Sequence, residues 1–388
     1  MSDNQTKCDY TVVLPCLNEE STLGLCINEI FEGAKSENLS VEVIVSDNGS
    51  TDSSIEVAKK HGARIVNVPL RGYGAALNAG IREAKSEVVI IGDSDMSYDF
   101  RFAPRMYKLI NQGQADLVMG NRFKGGIEPG AMPRLHKYLG NPVLSLIGRV
   151  FFNIPIGDFH CGLRALRKST YLTANPVTIG MEFATEMVAR FANINARIVE
   201  VPVPLRKDGR NRKPHLRSFP DGWRHLKMML LYSPHYFQLL PGALASIIGF
   251  VGLAMFGLNG RIELGFAQGN LQTAIFALVT FTVGLQLIST SFATMAYAKS
   301  KGINRFKSWD KTEELITSNI FALSSILLMT IGVLGLAILG GFWVNNNFPA
   351  FDPITSSQKT IPCVAVIVAG TQGILCSIQV RQLLSKFW

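Results

Sequence analysis

From residue 1 to about residue 215, short apolar runs alternate with amphipathic stretches. "YTVVLP" (10–15), "VEVIVSD" (41–47), "RIVNV" (64–68), "EVVIIGD" (87–93) and "DLVMG" (116–120) are rich in β-branched residues and predict strands. Their apolar positions are continuous instead of alternating, which suits a parallel sheet covered on both faces. Between them "EESTLGLCINEIFEGAK", "TDSSIEVAKKHG" and "YGAALNAGIREAKS" have helical spacing, with Thr51 or Asp52 as an N-cap. This βαβα order predicts an open, mostly parallel α/β sheet of Rossmann-like type. Ligands of such sheets bind beyond the carboxyl ends of the strands.

Past residue 235 the pattern changes. No Asp, Glu, Lys or Arg occurs in 236–258, 264–298, 315–347 or 360–380, and each run reaches the roughly 20 residues that a bilayer-spanning helix requires. Four transmembrane helices are predicted, at about 236–258, 271–298, 317–343 and 360–382. The chain therefore divides into an α/β domain over 1–215, a linker over 216–235 and an all-α membrane domain over 236–388. In the linker, Phe219, Trp223, Leu226 and Leu230 recur at helical spacing with Arg224 and Lys227 off that stripe, which predicts an amphipathic helix lying in the membrane interface or packed on the domain.

Composition and charge sharpen this division. The hydrophobic content of 47% and the positive mean hydropathy reside in the spans. Lys and Arg next to a span stay on the cytoplasmic side. Arg206, Lys207, Arg210, Arg212, Lys213, Arg217, Arg224 and Lys227 precede the first span, and Lys299, Lys301, Arg305, Lys307 and Lys311 separate the second from the third, whereas the other two loops carry only Arg261 and Lys359. The α/β domain and both termini are thus expected in the cytoplasm. The opening "MSDNQTKCDYTVVLP" lacks the apolar core of a signal peptide. The net charge of +9 is concentrated beside the membrane, where each Lys or Arg is attracted to anionic head groups by about 1 kcal/mol; lipid, and not nucleic acid, is the expected partner. Six cysteines without CxxC spacing suit a reducing compartment, with neither disulfide nor zinc expected.

The expected strand ends carry "PCLNEE", "DNGSTD", "PLRGYG" and "DSDMSYD", so acidic, polar and glycine-rich segments converge on one edge. A dinucleotide fingerprint would read G-x-G-x-x-G after the first strand. Here "GYGAAL" has Leu77 at the third glycine and follows the third strand, so Gly72 is expected to close a turn that lets backbone approach a ligand. Asp93 and Asp95, one residue apart at a strand end, can both face one hard cation; Mg²⁺ or Mn²⁺ fits, completed by water and substrate phosphates. Alone, such a pair is more often a turn or a helix cap.

In order, "PCLNEE", "VSDNGSTD", "GYGAALNAGI", "DSDMSYD", "GNRF", "HCGLRAL" and "VPVPLRKDGR" resemble family 2 glycosyltransferases of the GT-A fold, and among them the polyprenyl-phosphate (dolichyl- or undecaprenyl-phosphate) hexose synthases. The resemblance covers about residues 9–240. It implies a nucleotide pocket at Pro15, Asn18 and Glu19, with Asp47 at the base or ribose, and a metal site at Asp93 and Asp95. It places Arg122 and Arg164 near the reacting phosphates and Asp158 toward the acceptor, as a base or a sugar-hydroxyl ligand. One departure is Ser97, where many relatives carry an amide two residues after the DxD.

The implied reaction is inverting transfer of a hexose, glucose ahead of mannose, from a UDP- or GDP-hexose to a polyprenyl phosphate. A divalent ion held by Asp95 neutralises the leaving diphosphate. The acceptor phosphate, already ionised, needs a cationic cradle more than a base, and Arg134, Arg206 and Arg210 join Arg164 as candidates for it. A processive polysaccharide synthase should show Q-x-x-R-W, which "DGWRHL" is not. A translocator or scaffold needs ionisable groups within its spans, and Gln286, Asn319 and Gln372 are a thin supply. His160 with Cys161 reads as structural, and Glu182 with Glu186 as ordering the site or solvating a helix. The oligomeric state, homo-oligomer included, is left open.

Overall fold

The computed structural model describes residues 8–210, 218–263, 268–300, 309–346 and 352–385, and the chain divides into two units, Met1–Tyr232 and Ser233–Trp388. Arg212, Lys213, Arg217, Lys301, Arg305 and Lys307, counted above toward topology, lie outside the described residues.

In the first unit, β1 (Tyr10–Cys16), β2 (Val41–Asp47), β3 (Arg64–Asn67), β4 (Val88–Ile91), β5 (Leu117–Asn121), β6 (Arg164–Arg167) and β7 (Ile198–Pro202) form one sheet in the order β3-β2-β1-β4-β6-β5-β7. All neighbours are parallel except β6, which runs antiparallel to β4 and β5. The five expected strands are β1 to β5. β6 and β7 were not anticipated, because "RALR" and "IVEVP" are too short and too charged to declare a period. Their charges are accommodated by tertiary partners, as shown below. Because β6 is reversed, its amino end meets the carboxyl ends of the other six at one edge, with Ile91 opposite Arg164.

Helices α1 (Leu23–Ser36), α2 (Ser54–Lys60), α3 (Tyr73–Glu83), α4 (Ala103–Asn111), α5 (Arg122–Gly125), α6 (Asn141–Phe152), α7 (Lys168–Ala174), α8 (Phe183–Asn193) and α9 (Ser218–Tyr232) accompany the sheet. α1 turns Leu23, Cys26, Ile27, Ile30 and Ala34 into the core at helical spacing, against Val12, Leu14, Val43, Val45 and Ile90 of the sheet. α9 belongs to this unit, which therefore extends to Tyr232 instead of ending at residue 215. Its packed edge is His225, Met229 and Tyr232, all buried, with His225 Nδ1 2.7 Å from Thr185 Oγ1 and the Tyr232 hydroxyl donating to Glu186 Oε1 at 3.0 Å. The expected stripe is offset from this edge. Trp223 is exposed, Leu226 and Leu230 are half-buried, and the Phe219 side chain lies outside the described residues.

The second unit contains α10 (Leu240–Asn259), α11 (Leu271–Ser300), α12 (Trp309–Thr317), α13 (Asn319–Asn345) and α14 (Pro353–Leu384). Four helical stretches, His235–Asn259, Leu271–Ser300, Asn319–Asn345 and Pro353–Leu384, are long and apolar enough to cross a bilayer. α14 starts before the expected residue 360, because Asp352 accepts the Thr355 amide and Pro353 occupies the first turn. α12 is an addition, and a two-stranded hairpin, Ile262–Glu263 with Gln268–Gly269, departs from a purely helical domain. α10 and α11 approach through glycines: a Cβ on Gly249 would meet the Phe281 backbone, and one on Gly284 would meet Ser246. Small residues at such contacts let spans pack without a hydrophobic driving force.

Candidate active site

The edge where the strands end is tied together loop to loop. After β1, Asn18 takes a left-handed turn at φ 60; its amide donates to Ser50 Oγ and its Oδ1 accepts the Thr51 amide at 2.7 Å. The Glu19 amide donates to Ser54 Oγ. The segment behind β4 is anchored to the same loop, Ser94 Oγ donating to the Pro15 carbonyl and Thr22 Oγ1 to the Ser94 carbonyl. Asp47, buried at the end of β2, accepts the amides of Gly49 and Ser50. It therefore shapes the 48–52 turn, and its oxygens are already engaged by backbone. Asn48 links this turn to the next one: it donates to the carbonyls of Val68 and Leu70 and accepts the Gly72 amide at 2.7 Å. Gly72 sits at φ 146 with the Ile179 carbonyl where a Cβ would be.

Asp93 and Asp95 stand at the centre of the edge. Tyr73, the first residue of α3, donates its hydroxyl to Asp93 Oδ1 at 3.1 Å. Burial, and after it the neighbouring Asp95, push the Asp93 carboxyl up to about 6, against the pull of Arg210. Asp95 Oδ1 accepts the Ser97 amide, which bends the chain through Met96 at φ 68. Its Oδ2 lies 3.1 Å from Arg210 Nη1, and Arg210 Nη2 lies 2.9 Å from Glu19 Oε1. Burial opposes the Arg210 charge, but Asp95 and Glu19 raise its proton affinity above the ordinary guanidinium value. Backbone pairing delivers Arg210 to this point: beyond β7, Leu205 bridges Tyr98, the Arg206 amide donates to the Ser97 carbonyl, and the Gly209 amide donates to the Asp95 carbonyl.

Three expectations are corrected by the surroundings of the residues. Asp158 is fully buried, and both its oxygens are held by Arg122, at 2.7 Å to Nε and 2.8 Å to Nη2, with the Arg122 amide on Oδ2 as well. A carboxylate so enclosed is not open to an acceptor; its geometry fixes Arg122 at the start of α5. Burial works against the Arg122 charge, yet the facing Tyr98 and Asp158 raise its proton affinity. Arg164, 1% exposed, donates to the carbonyls of Cys161, Ala184 and Phe159, so it braces the turn before β6 and is enclosed away from a phosphate. Arg206 bridges Glu29 of α1, at 2.7 Å, and Asp99, and its charge is spent there. Arg134 is exposed ahead of α6 and takes part in no ion pair among the described residues.

Other residues shape the site without having been singled out. Tyr73 and Asn48 lie inside quoted motifs, and the Asx-type turn of "DNGSTD" was the available signal for Asn48. Tyr98 accepts the Gly162 amide at 2.8 Å, and Glu200 of β7 accepts the amides of Gly157 and Asp158; neither pairing has a local signal. Glu186 resolves toward ordering: it accepts the amides of Val177 and Thr178 and pairs with Arg190 at 2.7 Å. As for a cation, no three His, Cys, Asp or Glu side chains are arranged to hold a metal ion among the described residues. The acid pair itself fits one, since these are two carboxylates side by side at a buried edge, and the proton affinity of Asp93 stays raised despite the nearby charges of Arg210 and Arg122.

Residues 11–172 match the family described as glycosyl transferase family 2, and residues 292–383 match its C-terminal transmembrane region. The chain is 32% identical over 369 residues to the low-salt glycan biosynthesis hexosyltransferase Agl6 of Haloferax volcanii, covering 95% of this chain and 87% of that one. A dolichyl-phosphate hexose transferase of the same organism is 32% identical over 202 residues, 51% of this chain and 83% of that one. Among solved structures, glucosyl-3-phosphoglycerate synthase from Mycobacterium tuberculosis is 24% identical with a TM-score of 0.46, over 57% of this chain and 79% of that one. With the acid pair at the edge of a GT-A-like sheet and four apolar helices later in the sequence, this chain belongs to glycosyl transferase family 2 and is a membrane-bound glycosyltransferase.

Proposed function

We propose that the protein transfers a hexose, glucose in preference to mannose, from a UDP- or GDP-hexose to a polyprenyl phosphate, dolichyl or undecaprenyl, at the cytoplasmic membrane face, with inversion at the anomeric carbon. The observation that carries this reading is the meeting of Asp93, Asp95, Glu19 and Arg210 at one edge of the sheet, in a chain whose first span begins at His235, directly after the catalytic unit. Similarity to a Haloferax hexosyltransferase supports the hexose, and similarity to a dolichyl-phosphate hexose transferase of that organism supports the lipid phosphate.

Asp93 and Asp95 would hold Mg²⁺ or Mn²⁺, which when bound supplies positive charge to the leaving diphosphate. Pro15, Asn18, Glu19 and Gly72 form the walls for the nucleotide, with Asp47 holding the turn beside them. Arg134, in no ion pair among the described residues, and Arg210, which Asp95 would release on holding the ion, are the cations for the acceptor phosphate, whose charge makes a protein base unnecessary; the enclosure of Asp158 is consistent with that. In-line attack by the phosphate oxygen on the anomeric carbon forms the new C–O bond as the bond to the nucleotide diphosphate breaks. An α-linked donor therefore gives a β-linked product. The excess of Lys and Arg before the first span supports the cytoplasmic side.

The test supplies the full-length protein in vesicles with UDP- and GDP-hexoses, a polyprenyl phosphate and Mg²⁺ or Mn²⁺, and identifies the lipid product by mass. A polyprenyl-phosphate hexose is expected, and none in EDTA. Equal transfer to free polyprenol, or full activity in EDTA, rejects the reading.

A further inference from the structure

Two imidazoles meet where α9 lies on the catalytic unit, and the proposed reaction uses neither. His225 of α9 is buried, with its Nδ1 2.7 Å from the hydroxyl oxygen of Thr185, a buried residue of α8. Its ring stands edge-on to that of His160, with centroids 4.7 Å apart and planes at 75°. His160 belongs to the turn before β6 and also lies against the Phe159 ring. Both of its ring nitrogens are buried, and neither has a hydrogen-bond partner among the described residues. Such atoms cost stability, and packing alone would be served as well by an apolar ring.

The surroundings decide which form of the ring is tolerated. Burial, and after it His225 of α9, Arg122 of α5 and Arg164 of β6, hold the proton affinity of His160 well below the usual imidazole range. The nearby carboxylates are engaged, Asp158 by Arg122 and Glu186 of α8 by Arg190. Against its burial, the Thr178 amide and hydroxyl and Arg190 keep Glu186 below the usual carboxylate range, so it stays charged in mild acid. Burial pushes the neighbouring Cys161 thiol up to about 12. α6, which also packs against α9, carries the exposed Arg149, and His136 ahead of it is disfavoured as a cation by burial and then by Arg122. A proton on His160 therefore meets cations without a counter-ion. Once α9 leaves, the ring returns toward its ordinary value of about 6.5. Release thus takes up a proton and is favoured as pH falls below that value.

The turn under α9 bears on the site. It contains Asp158, which fixes Arg122, and Gly162, where a Cβ would touch Asp93 Oδ2. Along the chain, α9 ends at Tyr232 and the first span begins at His235, so a released α9 adds its 15 residues to the tether ahead of that span.

We propose that His160 and His225 form a proton-sensitive latch: neutral, they hold α9 on the turn beside the acid pair, and protonation frees α9 and lengthens the tether. This goes beyond the proposed reaction and does not depend on which sugar or acceptor is used.

The experiment uses the full-length protein with Cys8→Ser and Cys363→Ser in phosphatidylcholine vesicles, carrying one nitroxide after Lys60→Cys on α2 and another after Lys227→Cys on α9. Pulsed dipolar spectroscopy reads the distance between them at pH 7.5 and 5.5. A single narrow distance is expected at pH 7.5, and at pH 5.5 a broad component whose ratio to the narrow one has risen about tenfold for one proton taken up. His160→Phe, which keeps a ring against His225, and His160→Gln, which keeps a polar group, should each cancel that rise; thermal melts at pH 7.5 show which of them retains the fold, and that one decides. Asp93→Asn should leave the rise intact. The same narrow distance at both pH values overturns the proposal, as does a rise that persists without His160. A rise abolished by Asp93→Asn also overturns it, because the acid pair would then be the group that senses pH.

Discussion

Arg122 and Asp158 face each other with both guanidinium–carboxylate contacts formed and almost no exposure, 10% and 0% for the two side chains. Removing one charge from a buried pair strands the other, at about 3–5 kcal/mol. Asp158→Asn should therefore lower Tm by about 6–20 °C for a unit of this size, read by thermal denaturation in detergent. Unchanged Tm with lost transfer would instead mark Asp158 as the acceptor's base. Asp95 behaves oppositely. Its partner Arg210 keeps Glu19 at 2.9 Å when Asp95 is neutralised, so Asp95→Asn should leave Tm within a few degrees while lowering turnover by about 100-fold or more, the scale on which loss of one electrostatic contact to a transition state is felt. Steady-state kinetics with saturating Mn²⁺ checks this; near-normal turnover would remove Asp95 from the site. Neither contrast was visible in the motifs, where both residues are simply acids near glycines. What distinguishes them is a partner 36 positions away for Asp158 and a separation of 115 positions, 210 minus 95, for Asp95 and Arg210.

At the scale of elements, the turn before α3 depends on Gly72. Its φ of 146 is open to glycine alone in practice, and any Cβ would run into the Ile179 carbonyl. That carbonyl also accepts the Ala75 amide, and the segment carrying it is held by Glu186 through Val177 and Thr178. Gly72→Ala should thus displace the turn, costing about 1–3 kcal/mol of strain and raising Kd for the nucleotide about tenfold, measured by calorimetry on the reconstituted protein. An unchanged Kd would show that this turn does not border the nucleotide. The five parallel strands were legible because each carries adjacent apolar residues, in β1, β2, β4 and β5 inside the sheet and in β3 at its edge. β6 and β7 were not, because Arg164, Arg167 and Glu200 interrupt them, and only tertiary hydrogen bonds make those charges tolerable. The stripe on α9 was read from apolar spacing, whereas packing selected His225 and Tyr232, whose polar atoms found partners.

For the molecule as a whole, the burial of Met229 and Tyr232 moves the end of the catalytic unit to Tyr232. A chain ending at Tyr232 should remain soluble in mild detergent and bind a UDP- or GDP-sugar with metal. One ending at residue 215 should unfold or aggregate, because the faces of α6 and α8 under α9 would be bare. Circular dichroism and calorimetry on the two truncations decide it. A folded, nucleotide-binding chain ending at 215 would return α9 to the role of a linker.

The sequence alone determined the features that depend on local composition: the parallel strands, the polar turns that follow them, the acid pair, and the four apolar stretches. Each arises because period and hydrophobicity act over a few neighbouring residues. Tertiary structure decided which charges meet. Arg206 lies 177 positions from Glu29, and Arg210 lies 191 from Glu19. Arg206 is consumed by its carboxylates while Arg210 is delivered to the acid pair, by a backbone bridge that no motif announces. An ion pair is a property of two places in space, and the chain's spacing specifies only one of them.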